Sequence, residues 1–155
     1  MRGQTSFDFM VGMGLFLVTV GFVLTFIPGM FQPFTIGSST NEILADRSAA
    51  RLAEGVLAIS PARPAVLDRS CVIEFFDDDG NTGDCRYASE DPGTVLALSE
   101  TTNVNVTLQR DGDIAILNGQ KLASGPAPTG DDNVAVARRR VSISGTGYTL
   151  EVRVW

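Results

Sequence analysis

An uncharged, mostly apolar run from Phe9 to Ile27 constrains this chain more than any other feature. Its 19 residues, wound as an α-helix at about 1.5 Å per residue, cover roughly the 30 Å of a bilayer's hydrocarbon. A single transmembrane helix is the default expectation. Arg2 and the initial amine lie on the short side of the run, which puts the N-terminus in the cytoplasm and the remainder outside.

The residues before the run narrow the reading. Arg2-Gly3-Gln4-Thr5-Ser6-Phe7-Asp8 resembles the archaeal type IV prepilin signal, in which a basic residue and Gly precede a cut and Gln-x-Ser-x-Glu follows it. In that register Gly3 precedes the cut, Gln4 starts the mature chain, and Asp8 stands at the fifth position, where the family usually has Glu. The resemblance implies a leader at 1–3 removed by a prepilin peptidase, a membrane helix at 4–35, and an extracytoplasmic domain at 36–155. It further implies self-assembly, or assembly with other pilin-like subunits, through the N-terminal helix.

Asp8 can be argued from its chemistry as well. A carboxylate on an inserted helix costs about 2.5–3.5 kcal/mol at the bilayer centre and less near the interface, so it needs water or a cation. In pilin-like assemblies a free N-terminal amine is that cation. An ordinary signal anchor would instead leave Asp8 among the head groups. A cleavable secretory signal has an apolar core of about 7–15 residues ending in a small-x-small site; this run is longer, and Ile27-Pro28-Gly29 supplies no such site.

Within the run, Gly14, Val18, Gly21 and Thr25 fall on one helical face of small or β-branched residues. Such a face admits close helix packing, although glycine is also common in membrane helices generally. The formal charge of −6 belongs to the part beyond Phe34, because Arg2 and Asp8 cancel. An acidic exterior argues against nucleic acid and anionic membrane surfaces as partners of that part. The 11 Arg against one Lys, and 12 Asp against 6 Glu, resemble haloarchaeal composition.

Beyond the run, Pro28-Gly29 and Pro33 predict a kink or short break. Ile43, Leu44, Leu52, Val56, Leu57 and Ile59 recur at helical spacing among charged residues, predicting an amphipathic helix from Thr40 to Ile59 closed by Ser60-Pro61-Ala62-Arg63-Pro64. From Cys71 onwards the punctuation is that of strands. Cys71 to Phe76 alternates and predicts a hairpin returning through Cys85 to Tyr87, with the acidic loop Asp77–Asp84 at its tip. Strands are expected around Val104–Leu108, Ile114–Leu117, Val134–Ser144 and Tyr148–Trp155, with turns at Arg110–Asp113, Asn118-Gly119 and Gly145-Thr146-Gly147. The apolar parity changes across Arg138-Arg139-Arg140, which predicts a β-bulge there. The fold class is α+β: an N-terminal transmembrane helix, then an amphipathic helix packed on a mostly antiparallel sheet, as in pilin-like proteins.

Candidate sites are few. Cys71 and Cys85, both past the membrane run, read as a disulfide; a thiol pair for metal or redox work lacks the Cys-x-x-Cys spacing and any His. Asp77, Asp79, Asn81 and Asp84 offer hard oxygen ligands of the kind Ca²⁺ takes. An EF-hand register fails at Thr82, where Gly is needed, and at Ala88, where Glu is needed, and a solvated polar turn demands the same residue types. Asn105-Val106-Thr107 is an N-glycosylation sequon, with Asn105 expected on the solvent face. The chain has no His and no Gly-rich phosphate loop after a strand, so no catalytic role is expected.

Two functions follow. One is a pilin-like subunit, major or minor, of a type IV pilus-like surface filament or its assembly machinery, serving adhesion or surface interaction. The alternative is a membrane-anchored ectodomain that binds a ligand or partner without polymerising.

Overall fold

The structure, a computed structural model, describes the backbone of residues 4–31, 36–130 and 132–155, and side chains at 7–25, 40–130 and 132–155. It divides into two units, Met1–Ser39 and Thr40–Trp155.

In the first unit α1 runs from Gln4 to Phe31. It passes through Pro28-Gly29 without the expected break, and Pro33 lies outside the described residues. Every side chain described in it is exposed, the large apolar ones included. The stretch Phe7–Thr25 is long and apolar enough to cross a membrane. Its hydroxyls are satisfied inside the helix, as an apolar phase requires: Thr19 Oγ1 donates to Leu15 O at 2.8 Å and Thr25 Oγ1 to Phe22 O at 2.6 Å.

The next helix, α2 (Ile36–Arg51), belongs to the second unit from Thr40 onward and is followed there by a π-helical turn, Leu52–Val56. Ala45, Ala49, Leu52 and Ala53 are buried, a stripe at helical spacing. Ile43 and Ile59, expected on that stripe, are exposed. The helix also ends sooner than the periodicity predicts: Leu57 N–H closes the π turn on Leu52 O at 3.0 Å, and Ala58–Ser60 is strand β1. It pairs antiparallel with β2 (Arg63–Leu67), Ser60 standing opposite Arg63, so Pro61-Ala62 is a hairpin turn rather than a helix stop.

The chain then forms α3 (Arg69–Asp77) and α4 (Pro92–Leu96) before entering β3 (Val104–Arg110), β4 (Asp113–Ile114), β5 (Ile116–Leu117), β6 (Gln120–Lys121), β7 (Ala123–Ser124), β8 (Ala135–Ile143) and β9 (Thr146–Val154). The main sheet has the order β1-β2-β8-β9-β3-β4, with β7 also on β3, and β5-β6 forms a small separate ribbon. All pairs are antiparallel except β2 with β8. Two-residue turns close three hairpins at Asp111-Gly112, Asn118-Gly119 and Ser144-Gly145, both residues of each at positive φ. This is the type I′ geometry that suits strand twist.

The predicted bulge in the Arg run is absent. Residues Ala135 to Ile143 pair one for one with Val154 to Thr146. Ala135, Val141 and Ile143 are buried and share a face with Arg139, while Val136 is exposed on the other. The parity never changes; an arginine occupies an inward position. The core unites the Ala45–Leu57 stripe, Val72, Phe75 and Phe76 of α3, and Val106, Leu108, Val141, Leu150 and Val152 of the sheet. The second unit is thus α+β, built largely on antiparallel pairing.

Candidate functional site

Residues Cys71–Phe76, expected to begin a hairpin, lie inside α3. Asp68 starts that helix: its Oδ1 accepts from Ser70 Oγ at 2.6 Å, Ser70 N–H at 2.9 Å and Cys71 N–H at 3.2 Å, covering N–H groups that an α-helix leaves open. The Ser70 hydroxyl, then the Cys71 N–H, hold the Asp68 carboxyl below its ordinary value against a smaller opposing effect of burial. Val72, Phe75 and Phe76 are buried at i, i+3 and i+4, which is the helical period. The same letters also alternate in polarity, and tertiary packing decides between the two.

Cys71 and Cys85 form the expected disulfide, with Cα atoms 5.5 Å apart. Tyr87 reinforces it by donating its hydroxyl to Cys71 O at 2.6 Å and stacking edge-on against Phe75 at 5.6 Å. Burial, then the charges of Glu74, Glu90 and Asp77, push the Tyr87 phenol up from its ordinary value. The segment from 71 to 87 is therefore a helix stapled to an irregular return, not two strands.

The acidic loop leaves the C-terminus of α3. Asp78 takes the left-handed conformation at φ 57° and ends the helix. Asp79 Oδ1 accepts Asn81 N–H at 2.8 Å, and Asn81 Oδ1 accepts Gly83 N–H at 3.2 Å, so the loop curls through successive Asx turns. Asp77 and Asp79 lie in one group with Glu74: each offers a carboxylate oxygen within 4.8 Å of the others. Asp84 stands outside this group. Partial desolvation, then the charges of Asp77, Asp79 and Glu90, raise the Glu74 carboxyl above its ordinary value. Sequence reading missed Glu74 and Glu90; the spacing of Glu74 and Asp77 at i, i+3 becomes a signal once α3 is recognised as a helix.

Asn105 does not face solvent. It is 5% exposed, and its amide donates to Ser124 O at 3.2 Å and Gly125 O at 3.1 Å. β7 pairs antiparallel along the edge of β3 and brings Ser124 O and Gly125 O within reach of the Asn105 amide, and β3 is buried on both faces from Val104 to Leu108. Glu151, on the same side of the sheet, is 1% exposed and carries ion pairs from Arg138 and Arg153.

At the N-terminus, Gly3 lies outside the described residues, Gln4 is the first residue of α1, and Asp8 is exposed within that helix's opening turns. The chain thus carries a helix with a long apolar stretch, α1, ahead of an α+β unit with its own core. The chain belongs to DUF7287, a family of unknown function. The match covers residues 1–155, so the apolar helix and the α+β unit of this DUF7287 protein belong to one family pattern. No curated protein and no solved structure matches it.

Proposed function

We propose that this DUF7287 protein is a pilin-like subunit of an archaeal type IV pilus-like surface filament or of its assembly machinery. The observation that carries the reading is the register of Arg2-Gly3-Gln4, Ser6 and Asp8 against the start of the apolar span Phe7–Thr25. A helix exposed over its whole described length needs an apolar surrounding, which either lipid or a bundle of like helices supplies. The antiparallel sheet with a helix against it, stapled by Cys71–Cys85, is a stable outer module of the kind a filament would display. In this reading the outer unit is extracytoplasmic, where disulfides persist, prepilin peptidase is the processing partner, and the function is adhesion or surface interaction without catalysis.

The test is the N-terminal sequence, by mass spectrometry, of protein taken from its native membrane. The expected start is Gln4, with filaments then sought by electron microscopy. A start at Met1 or Arg2 overturns the reading in favour of a permanently anchored ectodomain, and a start beyond Phe34 makes the helix a secretory signal.

A further inference from the structure

The end of α3 collects negative charge with no opposite charge to balance it. Glu74, Asp77 and Asp79 converge within 4.8 Å, and among the described residues no Lys or Arg forms an ion pair with any of them or with Glu90. Arg69 and Arg86, which flank the cluster in sequence, are committed elsewhere: Arg69 donates to Asn118 Oδ1 at 2.6 Å, and Arg86 to Gly55 O at 3.2 Å and Ile59 O at 2.9 Å.

Glu90 supplies an independent observation. It is only 7% exposed, and its Oε2 accepts the N–H of Gly80, next to Asp79, at 2.9 Å. That bond aims the carboxylate at the acidic loop. Its other oxygen, Oε1, is buried without a hydrogen-bond partner. Buried carboxylate oxygens are ordinarily satisfied, because removing them from water unpaired is costly. Three converging acids with a fourth buried behind the loop form an arrangement that a cation would relieve and that packing alone does not explain.

We infer that Glu74, Asp77 and Asp79, backed by Glu90, form a binding site for a divalent cation of the Ca²⁺ class. The donors are all hard oxygens, and both cysteines are held in the disulfide, so no soft ligand is present to favour zinc or copper. A solvent-facing loop that leaves several positions to water and backbone carbonyls suits the larger, geometrically tolerant Ca²⁺ better than Mg²⁺, which demands a near-ideal octahedron. Partly exposed ligands place the affinity in the range of extracellular modules, about 10⁻⁴–10⁻³ M. The bound ion would join the last turn of α3 to the loop that carries Gly80 and, through it, to Glu90. This inference stands apart from filament assembly, since processing after Gly3 is read by a different measurement.

The test uses the full chain in detergent, titrated with CaCl₂ at constant ionic strength and followed by calorimetry and thermal melting. Saturable heat is expected, with Tm raised by roughly 5 °C at ten times Kd and a smaller rise with MgCl₂. The double substitution Asp77→Asn, Asp79→Asn should abolish both signals while keeping the wild-type circular dichroism spectrum in the absence of Ca²⁺. Should that variant not fold, Glu74→Gln serves in its place and should weaken binding several-fold. Absence of saturable heat from the folded wild type overturns the site, and so does a Ca²⁺-dependent Tm rise that is the same size in the variant.

Discussion

Arg139 of β8 reaches across the inner face of the sheet to α2, placing Nη2 3.0 Å from Asp46 Oδ1. Its Nη1 lies 3.3 Å from Glu54 Oε1 in the π-helical turn. One guanidinium therefore holds the helix and the turn after it to a single strand. The arginine is 33% exposed at its side chain, so solvent screens each pair and each is worth about 0.2–1 kcal/mol. Replacing Arg139 removes both pairs together with the contacts of its stem. Arg139→Ala is expected to destabilise the α+β unit by about 1–2 kcal/mol, whereas Asp46→Asn and Glu54→Gln should each cost less than half of that. Denaturant melts of the four proteins check this, and equal losses for Arg139→Ala and Asp46→Asn would contradict it.

The cap of α3 makes a pH-dependent contribution whose sign follows from Asp68. Its carboxyl is held below an ordinary value of 3.8 by the Ser70 hydroxyl and the Cys71 N–H. The folded state therefore favours the charged form, and stability from the cap is fully present above pH 3.8 and lost as pH falls through the lower folded value. Asp68→Ala should cost about 1 kcal/mol at neutral pH. The Tm difference between wild type and variant should stay constant from pH 7 to 5 and close below pH 4, as read by circular dichroism.

The disulfide carries the next expectation. Cys71 and Cys85 are 14 residues apart, and closing a loop of that size contributes about 3 kcal/mol on the chain-entropy model. Paired substitution to serine, or reduction, should lower the melting temperature of the α+β unit more than any single surface substitution does. Intact mass under non-reducing and reducing conditions verifies the bond first, and an unchanged Tm after verified reduction would contradict the assigned role.

These cases also show which parts of the fold the amino-acid sequence makes legible. Asp111-Gly112 and Asn118-Gly119 announce their turns because few other pairs tolerate two consecutive positive φ values, and the alternation from Val104 to Leu108 marks a strand correctly. The segment Cys71–Phe76 misleads because its six residues satisfy both a period of two and a period of 3.6. Only Asp68 as a cap and the burial of Val72 with Phe75 and Phe76 decide for the helix. Arg139 misleads in another way: an inward arginine looks like a break in parity until its acids, Asp46 on α2 and Glu54 in the π-helical turn, are in view. The candidate site was half legible. Asp77 and Asp79 are visible as a loop motif, but Glu74 depends on the helix and Glu90 on a contact ten residues away.

Asn105 offers the sharpest contrast between motif and structure. Its sequon is intact, yet its side-chain amide is occupied by Ser124 O and Gly125 O, while Arg153 donates to its Oδ1 at 3.4 Å. A glycan on that nitrogen would have to replace a donor inside a packed strand pair, so peptide mass spectrometry of the folded protein should find Asn105 unmodified. The loop beside it lies close against the backbone of β3. Gly125 sits at φ +83°, and a Cβ there would lie 2.1 Å from Val104 O, inside the backbone of β3. Gly125→Ala must therefore lift the loop away and release both Asn105 bonds. Asn105→Ala leaves the two carbonyls unpaired in place and should cost about 1–3 kcal/mol. If the loop acts through Asn105, the double variant should lose little more than Gly125→Ala alone, since the first substitution has already removed what the second takes away. Additive losses in the denaturant melts would show instead that Asn105 and the loop stabilise the sheet independently.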